Sequence, residues 1–496
     1  MAATQPEAPA WRNLADGSEL SFRAWDAGSN QLARGLLHRG LKPGDRTVIA
    51  LGPDEPFPWL IAYTAARRAG AVAVPVNTRL AAPELRAILS HAEPTVVLAG
   101  SDTDAGTWAS DAEPGTRPRV VATTGTAEWT ALLDTDSSPL PPPQGADGAM
   151  DIMYTSGTTG APKAVVVRHP RADTDGRPAA WNGLGFMTSS PFSTTSGALL
   201  VYGPMRGGLS GWFQPRFDPG QWLSLVETHR PVVTFLVPAM VQLIVAHPRF
   251  EETDLSSLAA LTIGGAPIAR ATLRRLGGRL PRTDILVGYG LTEFGAVTRS
   301  PSGDRGQHLG SAGTPLPGVE IRIVDGDGTE LPAGQVGEIT VRGAEPPREY
   351  YKAPAGTPQP WREGWLSSGD LGYLDDDGFL WITGRTKDII IRGGHNIAPS
   401  EVEEVLYAHP EVVDAAVAGI PHDVLGEDVG AWVVLSEGSE ASAAELRAFL
   451  LERLADYKVP RQLHFIDQLP RNASGKVIKS ELVTIEPAGQ SPRPTE

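Results

Sequence analysis

Ten residues, 154–163, concentrate groups suited to an anion: Tyr154-Thr155-Ser156-Gly157-Thr158-Thr159-Gly160-Ala161-Pro162-Lys163. Glycines let backbone N–H groups turn inward, hydroxyls donate to phosphoryl oxygens, and the lysine adds a point charge. The spacing is not that of a Walker A loop, which ends in Gly-Lys-Ser/Thr and opens a helix. The run Ala149-Met150-Asp151-Ile152-Met153 leads in and Val165-Val166-Val167 leads out, which predicts a mobile loop between two strands. The length and density of the run set it apart from an ordinary Gly/Ser/Thr turn.

Further chemistry-bearing segments follow it. Gly288-Tyr289-Gly290-Leu291-Thr292-Glu293 ends an apolar run that reads as a parallel strand, and open α/β sheets bind ligands at such ends. Tyr289 can stack on a purine, Thr292 can donate to a phosphate, and Glu293 can hold Mg²⁺, a cation that takes oxygen ligands. Gly264-Gly265-Ala266-Pro267 also follows a strand-like run and would let a flat ring approach the backbone, although a plain strand-to-helix turn looks the same. Ser367-Ser368-Gly369-Asp370 and Thr383-Gly384-Arg385 bracket a hairpin. Read by itself, Asp370 is a turn residue. Pro470-Arg471-Asn472-Ala473-Ser474-Gly475-Lys476 places a lysine on a Gly/Ser loop. Lysine is scarce, with seven against 36 arginines, so each lysine merits inspection.

The decapeptide resembles the phosphate loop of the adenylate-forming superfamily, which includes acyl- and aryl-CoA synthetases, peptide-synthetase adenylation domains and luciferases. The other segments occur in that family's order over about residues 20–485, closest to the acyl-CoA synthetases. The resemblance implies ATP, Mg²⁺ and coenzyme A as cofactors and co-substrates. It assigns Thr155, Ser156, Gly157, Thr158, Thr159, Gly160 and Lys163 to the phosphates. It lays Gly265, Ala266 and Pro267 against adenine, with Tyr289 and Gly290 close by. It sets Asp370 on the ribose with Arg385 nearby, Glu293 on the metal and Thr292 on a phosphate. Lys387 becomes the hinge of a rotating C-terminal domain, and the turn containing Gly394 lies beside the acceptor thiol. Lys476 reaches the active site during adenylation, where a positioned ammonium stabilises charge developing on the α-phosphoryl group.

The chain departs from the family at several positions. Pro191-Phe192-Ser193-Thr194-Thr195-Ser196-Gly197 has Thr194 where many CoA ligases carry a histidine near the acyl group. No acidic residue occurs over 179–211, where peptide-synthetase domains pair an aspartate with an α-amine. An α-amino-acid substrate is therefore disfavoured. Ala164 and Ser368 replace a common glycine and a common threonine. Phe192, Ser193, Thr194, Gly264, Gly288 and Phe294 are the expected acyl pocket, whose mixture of small and aromatic residues suits a medium-chain or aromatic acid.

The elements that must position these groups form a regular series. The 496 residues suggest two to four structural units. A helical pattern lies within 19–48. Strand-like runs at 46–51, 71–76 and 96–99 alternate with helical runs at 59–68 and 83–91. A second series has helices at 222–228, 239–246 and 269–276 and strands at 232–237, 260–263 and 284–288. Such alternation predicts parallel βαβ units. From about 310 to 382, short alternating runs predict an antiparallel β unit of the small distorted-barrel kind. From about 388 the pattern is α+β, with capping boxes expected at Ser400/Glu403 and Ser442/Glu445. The expected fold class is therefore a large α/β N-terminal domain, 1–386, with two open βαβ-type sheets and a small antiparallel β unit. A small mobile α+β domain follows at 387–496, with a tail after about 484.

Composition narrows the function. The net charge of −15 disfavours nucleic acid and anionic membrane surfaces. The first residues lack the basic and apolar segments of a signal peptide, and no run is long enough to span a bilayer, which predicts a soluble cytoplasmic protein. With no cysteine, a thioester product needs a thiol from another molecule. The expected activity is conversion of a carboxylic acid and Mg·ATP to acyl-AMP and then, with coenzyme A, to acyl-CoA. The alternative is a stand-alone adenylating enzyme that passes acyl-AMP to a carrier-protein arm or another nucleophile. A catalytically dead nucleotide-binding regulatory protein would not need Lys163, Glu293, Asp370 and Lys476 together.

Overall fold

The computed structural model describes residues 1–103, 108, 117–141, 149–155, 163–168, 180–304, 306–344, 347–353, 360–472 and 475–484. They group into two compact units. The first takes Met1–Leu236, Leu291–Gly295 and Pro346–Gln359. The second takes Val237–Gly290, Ala296–Glu345 and Pro360–Glu496.

In the first unit, Val120–Thr123, Val96–Ala99, Arg46–Ala50, Val72–Pro75 and Ala149–Thr155 lie side by side in that order, all parallel. Their β-branched runs, apolar on both faces, are what a covered parallel sheet requires. Lys163–Arg168 closes the edge antiparallel to Ala149–Thr155. A further parallel set runs Val233–Leu236, Gly185–Thr188, Ser210–Phe213 and Pro9–Asn13, with Glu19–Ser21 antiparallel at its edge. Glycine is required at one of these pairings. A Cβ on Gly185 would fall 2.4 Å from the Trp212 ring. The helix Phe22–His38 starts where the Ser21 side chain accepts from the Ala24 amide, and it buries Phe22, Trp25, Leu32 and Leu36. It packs with the helix Pro56–Arg68 around Trp11, Trp59, Tyr63 and Phe213.

In the second unit, Ala260–Gly264 and Asp284–Leu291 are parallel neighbours, with Gly264 opposite Gly288. Val319–Val324, Gly337–Gly343, Trp365–Leu374 and Leu380–Arg385 form an antiparallel sheet, with Trp361–Arg362 also pairing Trp365–Leu374. The C-terminal sheet joins Val412–His422 to Gly426–Leu435 antiparallel. Gln462–Phe465 runs parallel on the latter.

Two expectations need correction. Ser400 and Glu403 do not form a capping box. Pro399 occupies the first turn of the helix Pro399–Tyr407, so Ser400 is already helical and its hydroxyl donates to the Thr383 carbonyl. Glu403 instead accepts from the Val417 amide at 2.9 Å and from Lys479 Nζ at 3.1 Å. The box at Ser442 and Glu445 does form, at the start of Ala443–Leu451. Asp370 is not a turn residue but lies within the ten-residue strand Trp365–Leu374. Among the described residues, no helix is long and apolar enough to cross a membrane.

Candidate active site

The first unit brings the two ends of the phosphate-loop segment together. Thr155 pairs with Lys163 and Tyr154 with Ala164, and the Thr155 hydroxyl sits 3.4 Å from the Lys163 carbonyl. The tip, with Ser156, Gly157, Thr158, Thr159 and Gly160, lies outside the described residues. The Tyr154 hydroxyl is 2.8 Å from His91 Nδ1, and burial pushes its pKa up, so the phenol stays protonated. Lys163 is exposed, and its ammonium lies 5.3 Å above the Tyr350 ring.

Thr292 and Glu293 belong to the same unit. The Thr292 and Thr195 hydroxyls are 3.0 Å apart, and Arg348 Nη1 donates to the Thr292 carbonyl at 2.7 Å. Gly295 follows with φ +112°, and a Cβ there would come within 3.0 Å of Arg348 Nη2. The Tyr350 hydroxyl donates to Glu293 Oε1 at 3.1 Å. Segment 347–351 thus grips Thr292 and Glu293 while running beside Lys163–Arg168. No motif in the sequence flags that segment. The only signal was its two adjacent tyrosines.

The expected pocket residues diverge. Phe192 is a core residue, stacked on Phe213 with ring centres 4.5 Å apart and set edge-on to Trp11 at 5.1 Å. Four aromatic rings, Phe192, Phe213, Trp11 and Trp59, pack on one another here. Thr194 caps the helix Thr195–Leu200: its hydroxyl donates to the Pro191 carbonyl at 2.8 Å and accepts from the Gly197 amide at 3.0 Å. A Cβ on Gly197 would lie 1.9 Å from the Pro191 carbonyl oxygen, so this turn requires glycine. Ser193 and Phe294 are half-buried.

The second unit gathers Tyr289, Asp370 and Arg385. Asp370 and Arg385 face each other in register on neighbouring strands. The Tyr289 hydroxyl donates to Asp370 Oδ2 at 2.6 Å. Arg385 Nε lies 2.6 Å from Asp370 Oδ1, but its N–H is not aimed at that oxygen, so the pair is held by charge rather than by a well-formed hydrogen bond. Burial, then the Asp370 charge, push the Tyr289 phenol far above its ordinary range, and it remains a donor. Ser368 does what a threonine would: its hydroxyl donates to the Ile339 carbonyl at 2.6 Å and accepts from the Asp370 amide at 3.0 Å.

Gly265 adopts φ +93° beyond the strand Ala260–Gly264, next to half-buried Ala266 and exposed Pro267. Its missing Cβ would meet Val237 at 3.9 Å. Gly475, φ +82°, faces the same valine, where a Cβ would come within 3.0 Å. Gly265 and Gly475 therefore both lie beside the Val237 side chain. Arg471 anchors that loop, reaching Asp414 at 2.9 and 2.7 Å and the Gly475 carbonyl at 2.7 Å. The Lys476 side chain is exposed. Lys387 sits in the short turn Thr386–Asp388 directly after Leu380–Arg385, and burial lowers its ammonium pKa against the pull of Asp388. Gly393 and Gly394, both with positive φ, form a two-residue turn between paired Arg392 and His395. His395 stacks on Tyr457 at 4.5 Å.

Among the described residues, no group of three or more His, Cys, Asp or Glu side chains forms a metal cage. A single half-buried carboxylate, Glu293, suits Mg²⁺, which keeps waters and shares substrate phosphates rather than requiring an all-protein cage.

Comparison with known proteins places the chain in a family. Residues 1–351 match the family described as AMP-binding enzyme, and residues 401–476 match the AMP-binding enzyme C-terminal domain. A feruloyl-CoA synthase of Amycolatopsis sp is 36% identical over 495 residues, covering 97% of this chain and 96% of its own. A fatty acid–[acyl-carrier-protein] ligase, ScoC of Streptomyces coeruleorubidus, is 35% identical, covering 96% and 93%. The crystal structure of ATP-bound MatB from Rhodopseudomonas palustris superposes with a TM-score of 0.85 at 31% identity, covering 96% and 95%. The chain belongs to the AMP-binding enzyme family, the adenylate-forming ligases.

Proposed function

We propose that the chain activates a carboxylic acid with ATP as acyl-AMP and pyrophosphate, then transfers the acyl group to the thiol of coenzyme A, releasing AMP. The observation that carries this reading is that Gly265 and Gly475 both lie beside the Val237 side chain, which brings Gly475, next to Lys476, near the segment assigned to adenine. Asp370, held by Tyr289 and Arg385, accepts the ribose hydroxyls. Thr155, Ser156, Thr158, Thr159 and Lys163 bind the β- and γ-phosphates, and Thr292 donates to the α-phosphate. Glu293 would hold Mg²⁺, which supplies charge neutralisation on the phosphates when bound. Lys476 donates to the α-phosphoryl oxygens as the carboxylate attacks. For the second half-reaction, residues 387–496 turn about Lys387, bringing the Gly393-Gly394 turn to the thiol. Reaction with ATP and coenzyme A is consistent with a cytoplasmic protein.

Phe192 is withdrawn from the acyl pocket. Ser193, Thr194, Gly264, Gly288 and Phe294 remain, and similarity to the feruloyl-CoA synthase favours an aromatic acid. The resemblance to ScoC supports a second reading, transfer to a carrier-protein arm. A panel of aromatic and aliphatic acids with Mg·ATP, alone, with coenzyme A or with a phosphopantetheinylated carrier, separates these readings. AMP release together with a coenzyme A thioester mass supports the first. Acyl-AMP that ignores coenzyme A and loads the carrier supports the second.

A further inference from the structure

Residues 347–351 carry no recognised motif, yet they touch both nucleotide-facing segments of the first unit. Their backbone runs along Lys163–Arg168: the Val166 amide donates to the Glu349 carbonyl and the Tyr351 amide to the Ala164 carbonyl, each at 2.8 Å, and Val165 bridges Tyr350. Tyr350 is thereby fixed in register with the strand that begins at Lys163. Its ring packs against Met153, Val165, Val167 and Ala198 and presents one face to the Lys163 ammonium at 5.3 Å. Its hydroxyl reaches Glu293 Oε1 at 3.1 Å. Arg348 fastens the same segment to the Thr292 carbonyl.

A glutamate has three rotatable bonds, and Mg²⁺ requires near-octahedral geometry. A fixed donor on one carboxylate oxygen restricts the orientation of the other. Removing such supporting contacts typically costs about 10- to 100-fold in metal affinity. A lysine held over an aromatic face likewise has less rotamer freedom to lose when a phosphate arrives.

We propose that Tyr350 is a positioning residue of the nucleotide site: its hydroxyl sets the Glu293 carboxylate for a divalent cation, and its ring sets the Lys163 ammonium for the phosphates. The proposal rests on the roles given above to Glu293 and Lys163.

The two functions separate by substitution. Tyr350→Phe keeps the ring and its packing and removes the hydroxyl. Tyr350→Leu removes both. The test is binding of Mn²⁺, read by electron paramagnetic resonance, to enzyme saturated with α,β-methylene-ATP, together with calorimetric binding of that nucleotide in EDTA. Thermal midpoints identify any folding loss, and Glu293→Gln serves as the control. Tyr350→Phe is expected to weaken Mn²⁺ about tenfold and leave metal-free nucleotide binding unchanged. Tyr350→Leu is expected to weaken the metal-free nucleotide as well. Wild-type Mn²⁺ affinity in Tyr350→Phe with loss in Glu293→Gln overturns the hydroxyl role and leaves Glu293 as the ligand. Wild-type Mn²⁺ affinity in Glu293→Gln overturns the metal assignment itself. Equal nucleotide binding by the Phe and Leu variants overturns the ring's role.

Discussion

The Tyr289 hydroxyl donates to Asp370 Oδ2 at 2.6 Å, across 81 residues of chain. This bond and the Arg385 charge fix the Asp370 carboxylate, so the ribose hydroxyls proposed to bind there would meet an acceptor that needs little reorganisation. Asp370→Asn removes the charge and one acceptor. A hydrogen bond to a charged group contributes about 1.5–3 kcal/mol, which corresponds to about 10- to 100-fold in nucleotide affinity. Calorimetric titration with ATP should show that loss, with acid affinity changed much less.

Gly475 couples backbone freedom to the approach of the Lys476 loop. Gly475→Ala places a Cβ 3.0 Å from Val237 in a residue with φ +82°. A left-handed conformation costs a non-glycine residue about 1–2 kcal/mol, so acyl-AMP formation should fall about tenfold. The double variant Gly475→Ala/Val237→Ala relieves the contact but not the φ cost. Pyrophosphate exchange should recover partly, and recovery to wild type would show that the backbone term is negligible.

Arg471 is the anchor of the same loop. It pairs with Asp414, whose carboxylate is largely buried and also accepts from the Tyr407 hydroxyl at 2.7 Å. Arg471→Leu leaves that carboxylate without its cation, which typically costs about 3–5 kcal/mol when a buried pair loses one partner. Urea denaturation should register a loss of this order. Pyrophosphate exchange should fall further than the unfolded fraction explains.

The loop after Thr298 carries a pH-dependent contact. His308 stacks on Phe379 with ring centres 3.5 Å apart and places Nδ1 2.8 Å from Asp304 Oδ1, and this hydrogen bond raises its pKa above the ordinary 6.5. A group whose pKa rises on folding contributes fully below its unfolded value, and that contribution is lost as pH increases through the folded value. Stability should therefore decline as pH climbs from about 6.5, the unfolded histidine value. His308→Gln should flatten that part of the profile measured by urea denaturation. An unchanged slope would assign the decline to another group.

Much of the fold was legible because its elements are written locally. The parallel strands at 46–50, 72–75 and 96–99 are β-branched or alanine runs bounded by glycine, proline or charge, and the helices between them show 3.6-residue spacing. The box at Ser442 was readable for the same reason. Ser400 misled because the pattern registers the Ser/Glu spacing but not that Pro399 has already begun the helix. The burial of Phe192 was not legible because a motif position does not reveal three aromatic rings from distant segments. Tyr350 went unseen because its two partners, Lys163 and Glu293, lie far away in the chain, and only the pairing of residues 349–351 with Lys163–Arg168 brings them within reach.

The central claim is that one chain runs two half-reactions and that Lys476 serves the first alone. Lys476→Ala, assayed separately for ATP–pyrophosphate exchange and for thioester formation from supplied acyl-AMP and coenzyme A, tests it most directly. A positioned charge of this kind typically contributes about 10²- to 10³-fold. The expected result is loss of exchange by that factor with thioester formation near wild type. Equal loss of both half-reactions would contradict the assignment.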